Sequence, residues 1–192
     1  MSSKKVMRQS KKKPVEYVNN KKFYEAIIEY RKAVEEAKTA GKPEPKFPNY
    51  IGECIMKIAN RLSVHPWFMN YSFRDEMISD GIENCFIYFH NFDPAKTNNP
   101  FAYFTQVIYF AFRRRILKEE KNRYTIYKNF QETVTSLYDT NLLTDSDDNH
   151  LMPTQLYDNI NDFMDKFEKK EEIKKQKRKQ IKEGLQKFFP ED

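Results

Sequence analysis

Apolar residues recur at helical spacing along most of the chain, and no stretch of useful length alternates apolar and polar residues as a half-buried strand would. Asn19 or Asn20 can cap a first helix, which Gly41 and Pro43 would end. The buried stripe of this helix, spaced by four, three and four residues, is Phe23, Ile27, Tyr30 and Val34. With only 4 glycines in the chain, the pattern predicts an all-α fold.

Two further helices follow the Pro-rich linker of residues 42–48. The second starts near Asn49 and stops at His65 and Pro66, because the residue before a proline disfavours helical geometry. Its apolar stripe is Ile51, Ile55, Ile58 and Leu62. The third covers residues 73–89, with the buried stripe Met77, Ile78, Ile82, Cys85, Phe86 and Phe89. Its polar residues form one acidic face, at spacings i, i+3, i+4 and i+7, made of Glu76, Ser79, Asp80 and Glu83.

A fourth helix is predicted over residues 100–121, after a break rich in Asn and Pro. Winding it at 3.6 residues per turn around Phe104 places six residues on one apolar arc. These are Phe101, Phe104, Val107, Ile108, Ala111 and Phe112. The opposite arc carries rings, an amide and guanidinium groups, from Tyr103, Gln106, Tyr109, Phe110, Arg113 and Arg114.

The residue types of this opposite arc are those that bind single-stranded or melting DNA. Arginines hold phosphates, rings stack on unpaired bases and an amide can read a base edge. The alternative is that a second layer of helices covers this face. The acidic face of the third helix is equally open to two interpretations, a solvated surface or a docking surface for a basic or polar helix.

The chain divides into four predicted segments. Residues 1–16 form a disordered basic arm, 17–137 a helical domain, 138–153 an acidic linker and 154–192 a C-terminal helix with a tail. The C-terminal helical stripe is Leu156, Ile160, Phe163, Met164 and Phe167, and a strongly basic run covers residues 169–182.

Composition narrows the functional classes. The formal net charge is +6, which favours polyanionic partners but also fits a merely soluble basic protein. Cys54 and Cys85 lie on apolar stripes and are expected to be small core residues of a protein in a reducing compartment. No apolar run approaches the roughly 20 residues that span a bilayer, and the N-terminus lacks the apolar stretch of a secretory signal, so we expect a cytoplasmic protein without a membrane partner.

Catalytic motifs are not evident in the sequence. His65, His90 and His150 lie in different segments, without Cys or carboxylates at metal-ligand spacing around them. No Gly-rich phosphate loop, nucleophile elbow or metalloprotease helix occurs. We therefore expect a binding protein without a metal or cofactor rather than an enzyme.

The order of these parts resembles conserved region 2 of bacterial sigma factors. The resemblance lies in residues 75–83 (DEMISDGIE), 90–94 (HNFDP) and 101–105 (FAYFT). Residues 17–20 (YVNN), 26–28 (AII) and 76–83 also resemble late sigma factors of T-even-type bacteriophages. The similarity covers residues 17–130, and beyond them it is one of position and character.

The resemblance implies that the chain binds host core RNA polymerase and directs it to phage late promoters. In that family the acidic helix binds the β′ clamp helices, which implies a polymerase contact at Glu76, Ser79, Asp80, Glu83 and Asn84. The β flap is a second contact that the resemblance leaves open. The aromatic-basic helix of the family captures unpaired bases of the non-template strand, which implies DNA contacts at Tyr103, Thr105, Gln106, Tyr109, Phe110, Arg113 and Arg114.

Individual positions carry finer expectations from the same resemblance. Tyr103 matches the ring that takes the key adenine, and Phe110 and Arg113 match positions that touch the duplex at the upstream edge of the bubble. Many sigma factors have a pair of tryptophans that wedge the duplex open. This chain has Gln106 and Val107 at those positions, so its wedge must be weaker or made differently. The chain also lacks a recognisable helix-turn-helix domain, which fits a short, T/A-rich promoter element and a need for a late-transcription co-activator.

The C-terminus is similar to sliding-clamp-binding peptides, with Lys182 in place of their usual Gln. Apolar anchors at Leu185, Phe188 and Phe189 would fill a preformed groove on the clamp. A terminal helix whose rings pack on the core explains the same residues.

The competing function is a polymerase-independent DNA-binding or architectural protein, which would leave the acidic face without a role. Either protein would act in the bacterial cytoplasm, at the nucleoid, and the phage resemblance implies that it is virus-encoded.

Overall fold

A computed structural model describes residues 17–139 and 154–188, and these residues form α-helices and one short 3₁₀ helix, with no strand. The helices are α1 (Asn20–Thr39), α2 (Asn49–Ser63), α3 (Arg74–Ile87), α4 (Pro100–Asp139) and α5 (Thr154–Phe188), with the 3₁₀ helix at Phe89–Asn91. The predicted all-α class is confirmed. The predicted basic arm and nearly all of the acidic linker lie outside the described residues. Among the described helices, none is both long and apolar enough to cross a membrane.

Helix α1 begins and ends as its sequence predicts. The Asn19 side chain accepts a hydrogen bond from the Lys22 backbone N–H at 3.0 Å, which satisfies one of the free donors of the first turn. The chain leaves the helix at Gly41, whose φ of 63° is the left-handed conformation that glycine adopts without a steric penalty. The four predicted stripe residues, Phe23, Ile27, Tyr30 and Val34, are all buried.

Helix α2 also matches its prediction, since it starts at Asn49 and ends at Ser63, just before His65 and Pro66. Ile51, Ile55 and Ile58 are buried and Leu62 is half-buried. Both cysteines are buried, as expected, and burial raises the pKa of the Cys85 thiol to about 12.

Helix α3 is shorter than predicted, because it ends at Ile87 and the chain tightens into the 3₁₀ helix before Phe92. The prediction that Phe86 is buried is wrong. This side chain is 43% exposed, and its ring meets only the edge of the core, 5.0 Å from the ring of Phe47. The helix turns its buried side, Met77, Gly81 and Cys85, towards the interior.

Gly81 permits a close approach between α3 and α4. A Cβ atom at this position would lie 2.9 Å from Cε1 of Phe112 and 3.0 Å from Cγ2 of Ile108. Both distances are shorter than ordinary carbon contacts, so a larger residue would push the two helices apart. The small residue in the middle of α3 therefore sets its spacing from α4.

Helix α4 is longer than predicted, since it continues to Asp139 rather than ending at residue 121. Residues 122–139 contain neither glycine nor proline, and Tyr124 and Tyr127 pack against α5, so nothing stops the helix. The chain divides into two compact units, with the boundary inside α4 between Arg115 and Ile116. Each unit has its own set of packed aromatic rings.

In the first unit, residues 17–115, the core is centred on the fully buried ring of Phe104. Its ring centroid lies 5.5 Å from that of Phe23, 6.0 Å from that of Phe89 and 6.3 Å from that of Phe92. These contacts join α1, the 3₁₀ helix and α4.

The second unit is an antiparallel pair formed by residues 116–139 of α4 and by α5. Tyr124 stacks on Phe167 at 4.6 Å between ring centroids, and Tyr127 meets Phe163 at 5.6 Å. The predicted stripe of α5 is confirmed for Ile160 and Met164, which are buried, whereas Phe163 and Phe167 are half-buried and Leu156 is exposed.

Candidate nucleic-acid interface

The first turn of α4 is capped and joined to α1 by hydrogen bonds that two asparagine side chains accept. The Asn99 side chain accepts from the Ala102 backbone N–H at 3.0 Å, and Pro100 occupies the first turn, where its missing N–H costs nothing. The Asn20 side chain, from α1, accepts from the Phe101 N–H at 3.1 Å. This arrangement fixes the rotation of α4 about its own axis, and with it the face that points to solvent.

The predicted apolar arc of α4 is on the buried side. Phe104, Ile108, Ala111 and Phe112 are buried, and Phe101 and Val107 are half-buried. The opposite arc therefore faces outward, and no second layer of helices from the described part of the first unit covers Gln106, Phe110, Arg113 or Arg114, which are all exposed.

Phe110 and Arg113 are both exposed on this face. The phenyl ring is 45% exposed, although burying a Phe side chain would contribute about 1.5 to 3 kcal/mol. The neighbouring Tyr109 is half-buried, and the Arg113 guanidinium lies 5.9 Å from the centroid of its ring. An exposed ring can stack on a base while a neighbouring cation binds the phosphate of the same nucleotide.

Tyr103 differs from the other rings of the face because it is anchored. Its hydroxyl donates to the Tyr88 carbonyl at 2.8 Å, and its ring lies 5.3 Å from Phe92 and 5.1 Å from Phe104. Burial raises the pKa of Tyr103 above the usual value for tyrosine. A base that stacks on Tyr103 would meet a ring held in one orientation at the edge of the core.

Thr105 borders a cavity rather than the outer face of α4. Its hydroxyl donates to the Phe101 carbonyl at 2.6 Å, and the residue borders a cavity of about 350 Å³. Among the described residues the other walls are Tyr17, Ile58, Arg61, Leu62, Val64, His65 and Pro66, which bring a guanidinium group but no carboxylate to the cavity.

The acidic face of α3 is exposed at Glu76, Ser79 and Glu83. Asp80 belongs to a different environment, because its carboxylate accepts a hydrogen bond from Nη1 of Arg115 at 3.2 Å and both side chains are largely buried. The sequence pattern places Asp80 on one face with the exposed acidic residues, whereas in the structure its carboxylate is paired with Arg115. The residue links α3 to α4.

Asn84 and Arg114 connect the two predicted binding surfaces directly. Nη2 of Arg114, on α4, donates to Oδ1 of Asn84, on α3, at 2.6 Å. The Asn84 amide in turn donates to the Asp80 carbonyl at 2.7 Å. The acidic face of α3 and the aromatic-basic face of α4 are thus adjacent parts of one surface in the first unit.

Trp67 was missed by the sequence analysis. It is the only tryptophan of the chain, it lies between α2 and α3, and its side chain is 68% exposed. Its ring lies 5.0 Å from that of His65, which borders the cavity at Thr105, while the next residue, Phe68, packs on Tyr109 and Phe112. A sequence signal was available, since a large ring after Pro66, in the connection between two predicted helices, has no helical stripe to join.

The described part of the chain supports neither a metal site nor a test of the C-terminal residues. Among the residues that the structure describes, no group of three or more His, Cys, Asp or Glu side chains could hold a metal ion. Leu185 and Phe188 lie within α5, while Phe189 lies outside the described residues. The predicted clamp-binding role of these three residues stays a prediction.

Comparison with known proteins adds no assignment. No family model matches the chain, and no curated protein matches it significantly. The surface formed by α3 and α4 and the motifs that it carries are therefore the features that bear on function.

Proposed function

We propose that this chain is a sigma factor of the T-even phage late type, which binds host core RNA polymerase and melts a T/A-rich promoter element just upstream of the start site. In this proposal α3 binds the β′ clamp helices through Glu76, Ser79 and Glu83. The outer face of α4 binds the non-template strand. The C-terminal tail binds the sliding clamp, and a co-activator assists initiation.

The Arg114–Asn84 hydrogen bond is the observation that carries the proposal. It joins an acidic helix to an aromatic-basic helix within one compact unit, so a protein bound to α3 and DNA bound to α4 would be held side by side. A subunit that opens DNA on a polymerase needs this adjacency, because binding of the first partner raises the effective concentration of the second.

A polymerase-binding experiment tests this function. Glu76→Lys with Glu83→Lys reverses the charge of two exposed positions and leaves the Asp80–Arg115 ion pair intact. We expect this variant to lose co-elution with core RNA polymerase on gel filtration. The control, Glu29→Lys with Glu36→Lys, makes the same charge change at exposed positions of α1 and should co-elute like the wild type.

Co-elution of the α3 variant with core polymerase would exclude α3 as the docking helix. If the wild type itself does not co-elute, the alternative of a polymerase-independent DNA-binding protein is favoured. The circular dichroism spectra of both variants should equal that of the wild type, since all four positions are exposed.

The DNA-binding face has its own test. Phe110→Ala removes a partly exposed ring, so it should reduce open-complex formation, read by permanganate reactivity of unpaired thymines, on a duplex promoter. A pre-melted template should restore most of the activity, because Phe110 is expected at the upstream edge of the bubble and a template that is already open no longer needs help with melting. Equal losses on both templates would contradict the melting role.

A further inference from the structure

One segment of α5 is helical yet exposed on every side. Residues 172–183 are all exposed, including Ile173 at 52% and Ile181 at 63%. The ring contacts that join α5 to α4 end at Phe167. Packing normally supplies most of the stability of a helix, so a helix exposed over three turns is suited to binding a partner.

The charges of this segment identify the chemistry of the partner. Residues 172–183 contain six lysines and arginines but two glutamates. At 100° per residue, Lys175, Arg178 and Lys182 share one face. Lys174 and Lys177 flank that face on one side and Lys179 flanks it on the other, so six cations cover more than half of the helix circumference.

Three glutamates lie beside or within this cationic arc. Glu172 and Glu183 project just beyond the Lys179 edge of the arc, and the Glu183 carboxylate contacts the Lys179 ammonium at 3.9 Å. Glu171 falls within the arc, where its carboxylate contacts the Lys174 ammonium at 2.5 Å and the hydrogen bond lowers the pKa of Glu171. Cations spaced by four residues repel one another, and an anionic partner would relieve that repulsion.

We propose that residues 174–182 of α5 bind the phosphate backbone of duplex DNA without reading its sequence. The width of the cationic arc favours a duplex over a flat acidic protein surface. A helix lying in the major groove has a phosphate backbone on either side, so cations spread over a wide arc can all find phosphates. Five of the six cations are lysines, which act as point charges and do not make the bidentate base contacts of arginine.

This inference deepens the proposed function, since a sigma factor with a single promoter element gains a second, sequence-independent hold on DNA. It is nevertheless testable without polymerase. Lys175→Gln, Arg178→Gln and Lys182→Gln together remove three charges and keep good helix formers in place. Binding of the full chain to a fluorescein-labelled 30-base-pair duplex of random sequence is followed by anisotropy over a series of salt concentrations.

We expect the triple variant to bind at least tenfold more weakly at low salt. The slope of log K against log salt should fall by about 0.9 for each cation that contacts a phosphate. The control replaces Lys32, Lys38 and Lys42 by Gln, which makes the same charge change at exposed positions of the first unit and should leave the slope unchanged. Glu171→Gln should tighten binding, because it removes the carboxylate within the cationic arc.

Hydrogen exchange identifies the segment that is bound. The duplex should slow the exchange of amides in residues 172–183 of the wild type. An unchanged slope in the triple variant would overturn the proposal. Protection of these amides by core polymerase but not by the duplex would also overturn it, and would indicate a protein partner. The salt dependence and the duplex protection are measured without polymerase, so the failure of this inference and that of the proposed function are distinguishable.

Discussion

The two units of this chain use aromatic residues in different ways. In the first unit, Phe23, Phe89, Phe92, Phe104 and Phe112 are almost completely buried and bring together segments that are far apart in the sequence. In the second unit, Tyr124, Phe163 and Phe167 pair along two helices and stay partly exposed, and α5 continues beyond them with charged residues. The first unit has the properties of a rigid platform for a shaped site, and the second has those of a charged helix pair with a partly exposed core.

Truncating one phenylalanine in each unit should give the largest difference between them. Phe104→Ala leaves a cavity at the centre of the first core and should lower the free energy of unfolding by about 3 to 5 kcal/mol. Phe167→Ala removes a half-buried ring and should cost about 1 kcal/mol. Urea denaturation followed by far-UV circular dichroism reports on both helical units, whereas the fluorescence of Trp67, the only tryptophan, reports on the first unit. A shift of the Trp67 transition in Phe167→Ala equal to the shift seen by circular dichroism would mean that the units unfold as one.

Two glycines test whether the spacing of α3 and α4 is specific. Gly81→Ala places a methyl group 2.9 Å from Phe112 and should destabilise the first unit by about 1 to 3 kcal/mol. Gly52→Ala, in α2, meets no atom within 4 Å and should stabilise the protein by about 0.4 to 1 kcal/mol. Thermal unfolding of both variants measures the contrast, and a stabilising Gly81→Ala would show that the two helices are free to separate.

An ion pair in each unit provides a smaller contrast. Asp80–Arg115 joins side chains that are 33% and 19% exposed, whereas Glu120–Lys170 joins side chains that are 31% and 61% exposed. A double-mutant cycle should give a coupling energy of about 1 kcal/mol for the first pair and a few tenths for the second, which water and salt screen more strongly. Stronger coupling in the second unit would contradict the description of it as the more solvent-exposed of the two.

Removal of the C-terminal tail should have the smallest effect on stability. Deleting residues 185–192 should leave the melting temperature unchanged within error, because the preceding residues of α5 are exposed. The same deletion should abolish stimulation of late transcription by the sliding clamp while basal transcription remains. A fall of several degrees in the melting temperature would show that the tail belongs to the fold, and the clamp hypothesis would fail.

The sequence was sufficient wherever one local signal acted alone. The stripe of α1, the cap at Asn19 and the stop before Pro66 depend on spacing and on backbone preference, and all three were predicted correctly. Predictions that needed a partner element were less accurate. The C-terminal extension of α4 and the exposure of Phe86 depend on what packs beside them, which helical periodicity does not encode.

The sequence by itself determined the fold class, the stripes of α1 and α2, and the set of rings and arginines on the outer arc of α4. Only the tertiary structure decided which of these groups are free to act. It paired Asp80 with Arg115, anchored Tyr103 on Tyr88, left Phe110 open, and placed Trp67 beside the cavity at Thr105. The physical reason is that periodicity assigns a residue to a face of its own helix, while burial and pairing depend on the residues that the other helices bring to that face.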